Sequence, residues 1–127
     1  MAQPLRILLL EDDLSLGQLT METLDCSGNF ETEHVVDADT AVDVLVALPF
    51  DLCVLDVNLR NGTCATVVAE ANRQGLPVIL TSGHHETGSL AEKPRRSMFL
   101  QKPVPFNRWG AAVEEMIQEP ANMSRQP

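Results

Sequence analysis

The chain has 127 residues, 44% of them hydrophobic, and 18 acidic residues against 9 basic ones give a net charge of −9. This length fits one domain with a sizeable core, and the acidic excess disfavours direct nucleic-acid binding, which needs a basic surface. Apolar runs such as Ile7 to Leu10 are too short for a membrane span, and the start lacks the features of a secretory signal. The three cysteines show neither CxxC spacing nor an even count, which fits reduced thiols, so we expect a cytoplasmic protein.

Five short apolar segments recur along the chain and predict β-strands. They cover residues 5–10, 32–36, 52–56, 77–81 and 98–101. The first, third and fourth are almost continuously apolar, as is typical of strands covered on both faces. Because amphipathic segments alternate with them, the pattern favours a parallel, doubly wound α/β sheet.

Four segments between and after these strands have helical periodicity. The segments 14–28, 37–49 and 62–75 are predicted to be helices that end at Gly28, Pro49 and Gly75. Their apolar faces are residues 14, 16, 19, 21 and 24, then 41, 42, 45, 46 and 48, then 64, 65, 67, 68 and 71. A last helix is predicted over 104–119, with Phe106, Trp109, Val113, Met116 and Ile117 on its apolar side.

The segment 82–97 interrupts the alternation. It holds Gly83, Gly88 and Pro94, and its only strongly apolar residue is Leu90, so we expect mostly loop with at most a short turn near 86–92. The "HHE" at 84–86 could suggest zinc, but adjacent histidines seldom aim at one ion and no third ligand is near, so a loop is favoured. Residues 1–119 are predicted to form the domain, and 120–127 a flexible tail.

Polar side chains stand at the carboxyl ends of four predicted strands. They are Glu11, Asp12 and Asp13 after the first strand, Asp56 at the end of the third, Thr81 and Ser82 after the fourth, and Lys102 after the fifth. Singly, such residues are often loop or cap residues, and Asp13 is predicted to be the N-cap of the first helix. Ligands of open parallel sheets, however, bind at this edge. If the first and third strands are neighbours, the carboxylates meet in one pocket.

Clustered carboxylates repel one another, and a bound cation relieves that repulsion. Mg²⁺ prefers oxygen ligands and commonly also coordinates a phosphoryl oxygen. A carboxylate beside Mg²⁺ can accept a phosphoryl group, while a lysine and a threonine bind the remaining phosphoryl oxygens. The strand ends therefore indicate a Mg²⁺-dependent phosphoryl-transfer pocket.

At this point the chain resembles the receiver domain of two-component response regulators. The matching stretches are "ILLLEDD" (7–13), "DLCVLDVNLRNG" (51–62), "LPVILTSG" (76–83) and "FLQKP" (99–103), in the order and spacing of the family, and the resemblance spans about residues 5–118. It implies a flavodoxin-like (βα)5 fold with five parallel strands in the order 2-1-3-4-5.

The resemblance also implies roles for individual residues. Asp56 would accept phosphate from a histidine kinase or a histidine phosphotransfer protein. Mg²⁺ would be held by Glu11, Asp12, Asp56 and the backbone carbonyl of Asn58. Thr81 and Phe99 would form the switch, and Lys102, whose bond to Pro103 is cis in such domains, would contact the phosphate. The chain would then catalyse only its own phosphorylation and dephosphorylation.

Two departures from the family pattern stand out. Arg60 replaces a proline that usually follows the third strand, and we expect it to loosen that loop without touching a catalytic group. The sequence "TSGHH" looks like that of single-domain receivers in which a Thr-Gly-Tyr-like motif precedes a loop in place of the fourth helix. His84 would take the place of that tyrosine, and the fourth helix is expected to be short or replaced by loop.

Other functions stay open. A phosphohydrolase of the haloacid dehalogenase type would need a second aspartate where Asn58 stands, and the chain has no cap domain, so it is disfavoured. A receiver-like binding module that is never phosphorylated is disfavoured because every pocket residue is present. The chain could also be one piece of a longer kinase. Since no output domain follows residue 119, we expect a signal that leaves by contact with an unidentified protein, with no nucleic acid or membrane as partner.

Overall fold

A computed structural model describes residues 3–83 and 93–123, with the backbone alone for 119–123. Five strands form one parallel sheet: β1 Leu5–Leu10, β2 Phe30–Val35, β3 Leu52–Asp56, β4 Val78–Ser82 and β5 Ser97–Gln101. Their order across the sheet is β2-β1-β3-β4-β5. The predicted α/β class and strand order are therefore confirmed.

Four helices occur in the described residues: α1 Leu14–Cys26, α2 Ala38–Ala47, α3 Ala65–Gln74 and α4 Arg108–Met123. Asp13 caps α1 as predicted, because its Oδ1 accepts the amide of Leu16 at 2.9 Å. Gly75 ends α3 in the left-handed conformation (φ 74°), which glycine adopts without a steric penalty. The first three helices end before their predicted last residues, and α2, α3 and α4 begin after their predicted first residues. In particular α4 starts only after Pro105, whose carbonyl accepts the amide of Arg108, and it continues to Met123.

The helices cover both faces of the sheet and create two cores. On one face the buried residues of α2 and α3 pack on β1, β3 and β4, with Leu8, Leu55 and Val67 completely buried. On the other face α1 and α4 pack on the same strands, with Ile7, Leu24 and Met116 completely buried. Since each central strand is covered on both sides, its side chains are mostly apolar, and β3 and β4 are buried over their full length, including the polar residues at their ends.

Some of the predicted apolar faces are wrong. In α1, Leu14, Leu16 and Leu19 are 57%, 37% and 59% exposed, while Gly17, Thr23 and Leu24 are buried. Val46 and Leu48 of the second predicted helix are also exposed, as is Phe106, which precedes α4. Helices α1 and α4 approach closely at one end, where a Cβ on Gly110 would lie 2.9 Å from the carbonyl of Ser27. A groove of about 480 Å³ lies between the first part of α1 and the start of α4, and it is lined by Leu16, Leu19, Phe106 and Trp109, among others.

The connection between β4 and β5 lies partly outside the described residues. Gly83 and residues 93–96 belong to no helix. The predicted short turn near 86–92 and the "HHE" at 84–86 fall on residues 84–92 and so lie outside the described part. Residues 124–127 of the predicted tail lie outside it as well, whereas 120–123 continue α4. None of the described helices is both long and apolar enough to cross a membrane.

Candidate functional site

Three predicted site carboxylates meet at the carboxyl edge of the sheet. Strands β1 and β3 are neighbours, with Leu10 opposite Leu55, so Glu11 and Asp12 emerge beside Asp56. One carboxylate oxygen from each of these three residues lies within 4.8 Å of the others. Glu11 and Asp56 are 4% and 3% exposed, and Asp12 is half-buried. The prediction that these carboxylates meet in one pocket is therefore confirmed.

Lys102 joins this cluster from β5, two strands away from β3. Its Nζ lies 2.6 Å from Oε1 of Glu11 and 3.1 Å from Oδ2 of Asp56. Its backbone amide donates to the carbonyl of Ser82 at 2.8 Å, and the bond to Pro103 is cis, as the resemblance implied. The ammonium thus acts as an internal cation that two carboxylates share.

The charges in this pocket shift one another's protonation. Burial raises the pKa of Glu11, since the hydrogen bonds from Lys102 and from the amide of Asp13 only partly offset the loss of solvent and the charge of Asp56 raises it further. Burial by itself would lower the pKa of Lys102, but the hydrogen bond to Glu11 and the negative charge of Asp56 outweigh it and leave that pKa raised. Lys102 therefore stays protonated at neutral pH.

Backbone amides occupy further carboxylate oxygens. Asp13 N donates to Oε2 of Glu11 at 3.2 Å, and Asn58 N donates to Oδ1 of Asp56 at 2.9 Å. The amide of Arg60 donates to Oδ2 of Asp12 at 2.7 Å. Arg60 was expected to touch no catalytic group, and the residue that its amide contacts is Asp12, a predicted metal ligand. This contact is made by the backbone, so the type of side chain at position 60 did not indicate it.

The end of β4 supplies two hydroxyls. Thr81 stands opposite Asp56 in the sheet and is 4% exposed, with its Oγ1 3.5 Å from the carbonyl of Leu55. Ser82 falls in the segment 82–97 that was predicted to be mostly loop, but it is the last residue of β4 and is completely buried. Its Oγ bonds to Oδ1 of Asn58, which joins the end of β4 to the loop after β3.

Phe99 lies on β5 opposite Leu80. Its ring is half-buried and packs on the core cluster that contains Leu80. Leu80 directly precedes Thr81, and successive side chains of a strand point to opposite faces of the sheet. The Phe99 ring therefore lies on the face covered by α2 and α3, whereas Thr81 lines the groove on the other face.

The three carboxylates fit a divalent cation with oxygen ligands. Their ligand oxygens lie within 4.8 Å of one another, so movements of the side chains alone would bring all three to one hard cation. The amide of Asn58 already lies against Asp56, which keeps this residue, the fourth predicted ligand, at the pocket. The donor set is therefore that of a hard cation.

One contact of the pocket carries no signal in the sequence. Nε2 of His34 on β2 lies 2.8 Å from the backbone carbonyl of Glu11, and its ring packs against Gly17 of α1. A Cβ at Gly17 would lie 2.1 Å from the ring. Since the bond is to a carbonyl oxygen, Nε2 is the protonated nitrogen. No sequence pattern pairs residues 11, 17 and 34, so only the packing of α1 on β2 identifies the contact.

Two curated proteins are similar to this chain in sequence. No family model matches the sequence. The response regulator protein PmrA of Pseudomonas aeruginosa is 40% identical over 116 residues, covering 88% of this chain and 52% of the relative. The transcriptional regulatory protein RprY of Bacteroides fragilis is 38% identical over 122 residues, covering 92% and 51% respectively. The chain therefore spans about half the length of these curated relatives.

Solved structures show the same fold. A CheY-like response regulator receiver domain protein from Methanospirillum hungatei JF-1 superimposes with a TM-score of 0.81 at 21% identity, covering 95% of this chain and 99% of that one. A response regulator receiver protein from Sinorhizobium medicae WSM419 gives 0.81 at 23% identity, covering 91% and 95%. Fold and sequence together define a CheY-like receiver. The chain belongs to the response regulator receiver domains.

Proposed function

We propose that this receiver is a phosphoacceptor that takes a phosphoryl group on Asp56 from a histidine kinase or a histidine phosphotransfer protein. The observation that carries the proposal is the contact of Lys102 with both Glu11 and Asp56, at 2.6 and 3.1 Å. A plain ion pair needs one carboxylate, whereas an ammonium shared by two buried carboxylates beside a third suits the binding of phosphoryl oxygens.

The transfer uses the carboxylate of Asp56 as nucleophile. One of its oxygens forms a bond to phosphorus while the phosphorus–nitrogen bond of the donor phosphohistidine breaks, and the imidazole leaves with the electron pair. We propose Mg²⁺ on Glu11, Asp12, Asp56 and the Asn58 carbonyl; when bound, it neutralises charge on the phosphoryl oxygens. Lys102 would bind another phosphoryl oxygen with its ammonium, which needs only to loosen its bond to Asp56.

Thr81 would report the new charge. Its contact with the Leu55 carbonyl is 3.5 Å long, at the weak limit of a hydrogen bond, so rotation towards a phosphoryl oxygen costs little. Phe99 lies opposite Leu80, the residue before Thr81, and would follow that movement. We propose that the β4–β5 surface then contacts an as yet unidentified protein partner, and that the exchange takes place in the cytoplasm.

Acetyl phosphate with Mg²⁺ tests the proposal. The wild type and the control Asp43→Asn, an exposed change on α2, should gain the mass of one phosphoryl group. Asp56→Asn should gain none, and beryllofluoride should alter Trp109 fluorescence only where Asp56 is intact. Trp109 is a suitable reporter because it lines the groove that Thr81 and Lys102 also line.

The same experiment separates the alternatives. Continuous phosphate release at enzymatic rates would favour a phosphohydrolase over a switch. If the wild type gains no mass and does not respond to beryllofluoride, the proposal is wrong and a receiver-like binding module remains. Transfer from a phosphorylated histidine phosphotransfer protein, followed in the same way, tests the proposed natural donor.

A further inference from the structure

Arg60 connects the loop after β3 to the acidic residues after β1. Its backbone amide donates to Oδ2 of Asp12 at 2.7 Å, at the short end of the range for such bonds. Its guanidinium Nη2 lies 4.0 Å from Oδ2 of Asp13, and the side chain is 77% exposed. The amide contact is therefore close and specific, whereas the guanidinium contact is long and open to solvent.

The amide bond is strong because its acceptor is a charged carboxylate. Within the described residues, Arg60 is the one hydrogen-bond donor to the Asp12 side chain, and Asp12 is only half-buried. Burial alone would therefore not fix this carboxylate. With Oδ2 held by the loop, Oδ1 stays available to a further ligand.

Proline is the one residue type that cannot make this contact, since it has no backbone N–H. The identity of residue 60 thus acts through the main chain: any residue other than proline can hold Asp12. The guanidinium should contribute little, because exposed ion pairs of this length are screened.

We propose that the backbone amide of Arg60 is a positioning group for the cation site, and that it holds the Asp12 carboxylate towards Glu11 and Asp56. This inference rests on the proposed function, since it takes Asp12 to be a ligand of Mg²⁺. It assigns the effect to the amide and not to the side chain, so two substitutions at the same position distinguish the two.

The test is a Mg²⁺ titration without phosphodonor, followed by Trp109 fluorescence and by amide chemical shifts. Arg60→Pro removes the amide and the side chain, and we expect it to weaken Mg²⁺ binding about tenfold, the size of one charge-assisted hydrogen bond. Arg60→Ala is the matched control, because it retains the amide, and it should stay within about twofold of the wild type. In an Asp12→Ala background Arg60→Pro should have no further effect.

Three results would overturn the inference. They are a folded Arg60→Pro protein that binds Mg²⁺ like the wild type, an Arg60→Ala protein as weak as Arg60→Pro, or equal losses from Arg60→Pro with and without Asp12. In each case the proposed function would stand. A wild type that binds no Mg²⁺ would remove both the proposed function and the inference.

A second measurement does not depend on whether the proline variant folds. A hydrogen bond to a carboxylate shifts the amide proton resonance of the donor, so the Arg60 resonance of the wild type should move clearly in Asp12→Ala. The same resonance should stay in place in Asp43→Ala, an exposed aspartate on α2. An Arg60 resonance that is equal in all three proteins would contradict the inference.

Discussion

Lys102 and Glu11 follow strands that are separated by two others in the sheet, yet the Nζ of Lys102 lies 2.6 Å from Oε1 of Glu11. The lysine side chain crosses the ends of β4 and β3 to make this contact and bonds to Asp56 on the way, at 3.1 Å. The carboxyl edge of the sheet is therefore bound together by one ammonium.

Lys102→Met should destabilise the protein by roughly 1–3 kcal/mol, because Glu11 and Asp56 lose their shared cation while still buried. Mg²⁺ should recover part of this loss by neutralising the same carboxylates. Urea unfolding with and without Mg²⁺ measures both effects, and Lys93→Met, at an exposed lysine, serves as the control. An Lys102→Met protein as stable as the wild type would mean that the ammonium does not stabilise the pocket.

Thr81→Ala should still take up phosphate or beryllofluoride at Asp56 but should not transmit it to Phe99. The Thr81 hydroxyl is the buried group beside Asp56 in the sheet, and its present bond of 3.5 Å is weak enough to exchange for a phosphoryl oxygen. Thr81→Ser retains the hydroxyl and should respond. The amide and ring resonances of Phe99 with and without beryllofluoride are the measurement, and a full response in Thr81→Ala would exclude the hydroxyl as the switch.

The phosphoryl group on Asp56 should hydrolyse well before many hours have passed. Asn58 is exposed, and a Cβ at Gly83 would meet no atom within 4 Å, so these neighbours leave room for water. Mass spectrometry after removal of the donor gives the lifetime. Asn58→Met should lengthen it by covering the pocket, and a wild-type phosphoprotein that persists for many hours would refute open water access.

Gly17→Ala should destabilise the protein by about 1–2 kcal/mol, although alanine favours helices. The new Cβ would lie 2.1 Å from the His34 ring, so the ring must move away from the carbonyl of Glu11. Gly83→Ala, where a Cβ meets open space, is the matched control. In thermal unfolding, the cost of Gly17→Ala should shrink in an His34→Ala background; an unchanged cost would mean that the clash lies elsewhere.

Asp37 should stabilise α2 in a pH-dependent manner. Its carboxylate accepts the amide of Thr40 at 2.7 Å, and this backbone hydrogen bond lowers the pKa of Asp37 below its ordinary value of 3.8. Because the folded-state pKa is the lower one, the contribution is complete above pH 3.8 and is lost as the pH falls through the lowered pKa. Asp37→Ala should reduce the melting temperature at neutral pH, with a smaller difference below pH 3.8, whereas Asp43→Ala should have little effect at either pH.

Residue patterns were most informative where the chain is buried on both sides. The apolar runs of β1, β3 and β4 predicted the sheet, because strands between two helical layers are almost continuously apolar. The same reasoning failed for α1, where Leu14, Leu16 and Leu19 have helical spacing but remain exposed. A helical pattern shows that a face is apolar, but it does not show whether a neighbouring element covers that face.

The sequence alone determined the class of fold and the residues of the pocket, since strand ends of a parallel sheet meet at one edge and the polar residues there are few. The tertiary structure decided how these residues are held. The Arg60 amide on Asp12, the His34 ring on the carbonyl of Glu11 and the bond of Ser82 to Asn58 all join segments that are distant in the chain. Two of these three use a backbone amide or carbonyl, which the residue type does not reveal, so only the tertiary packing could identify them.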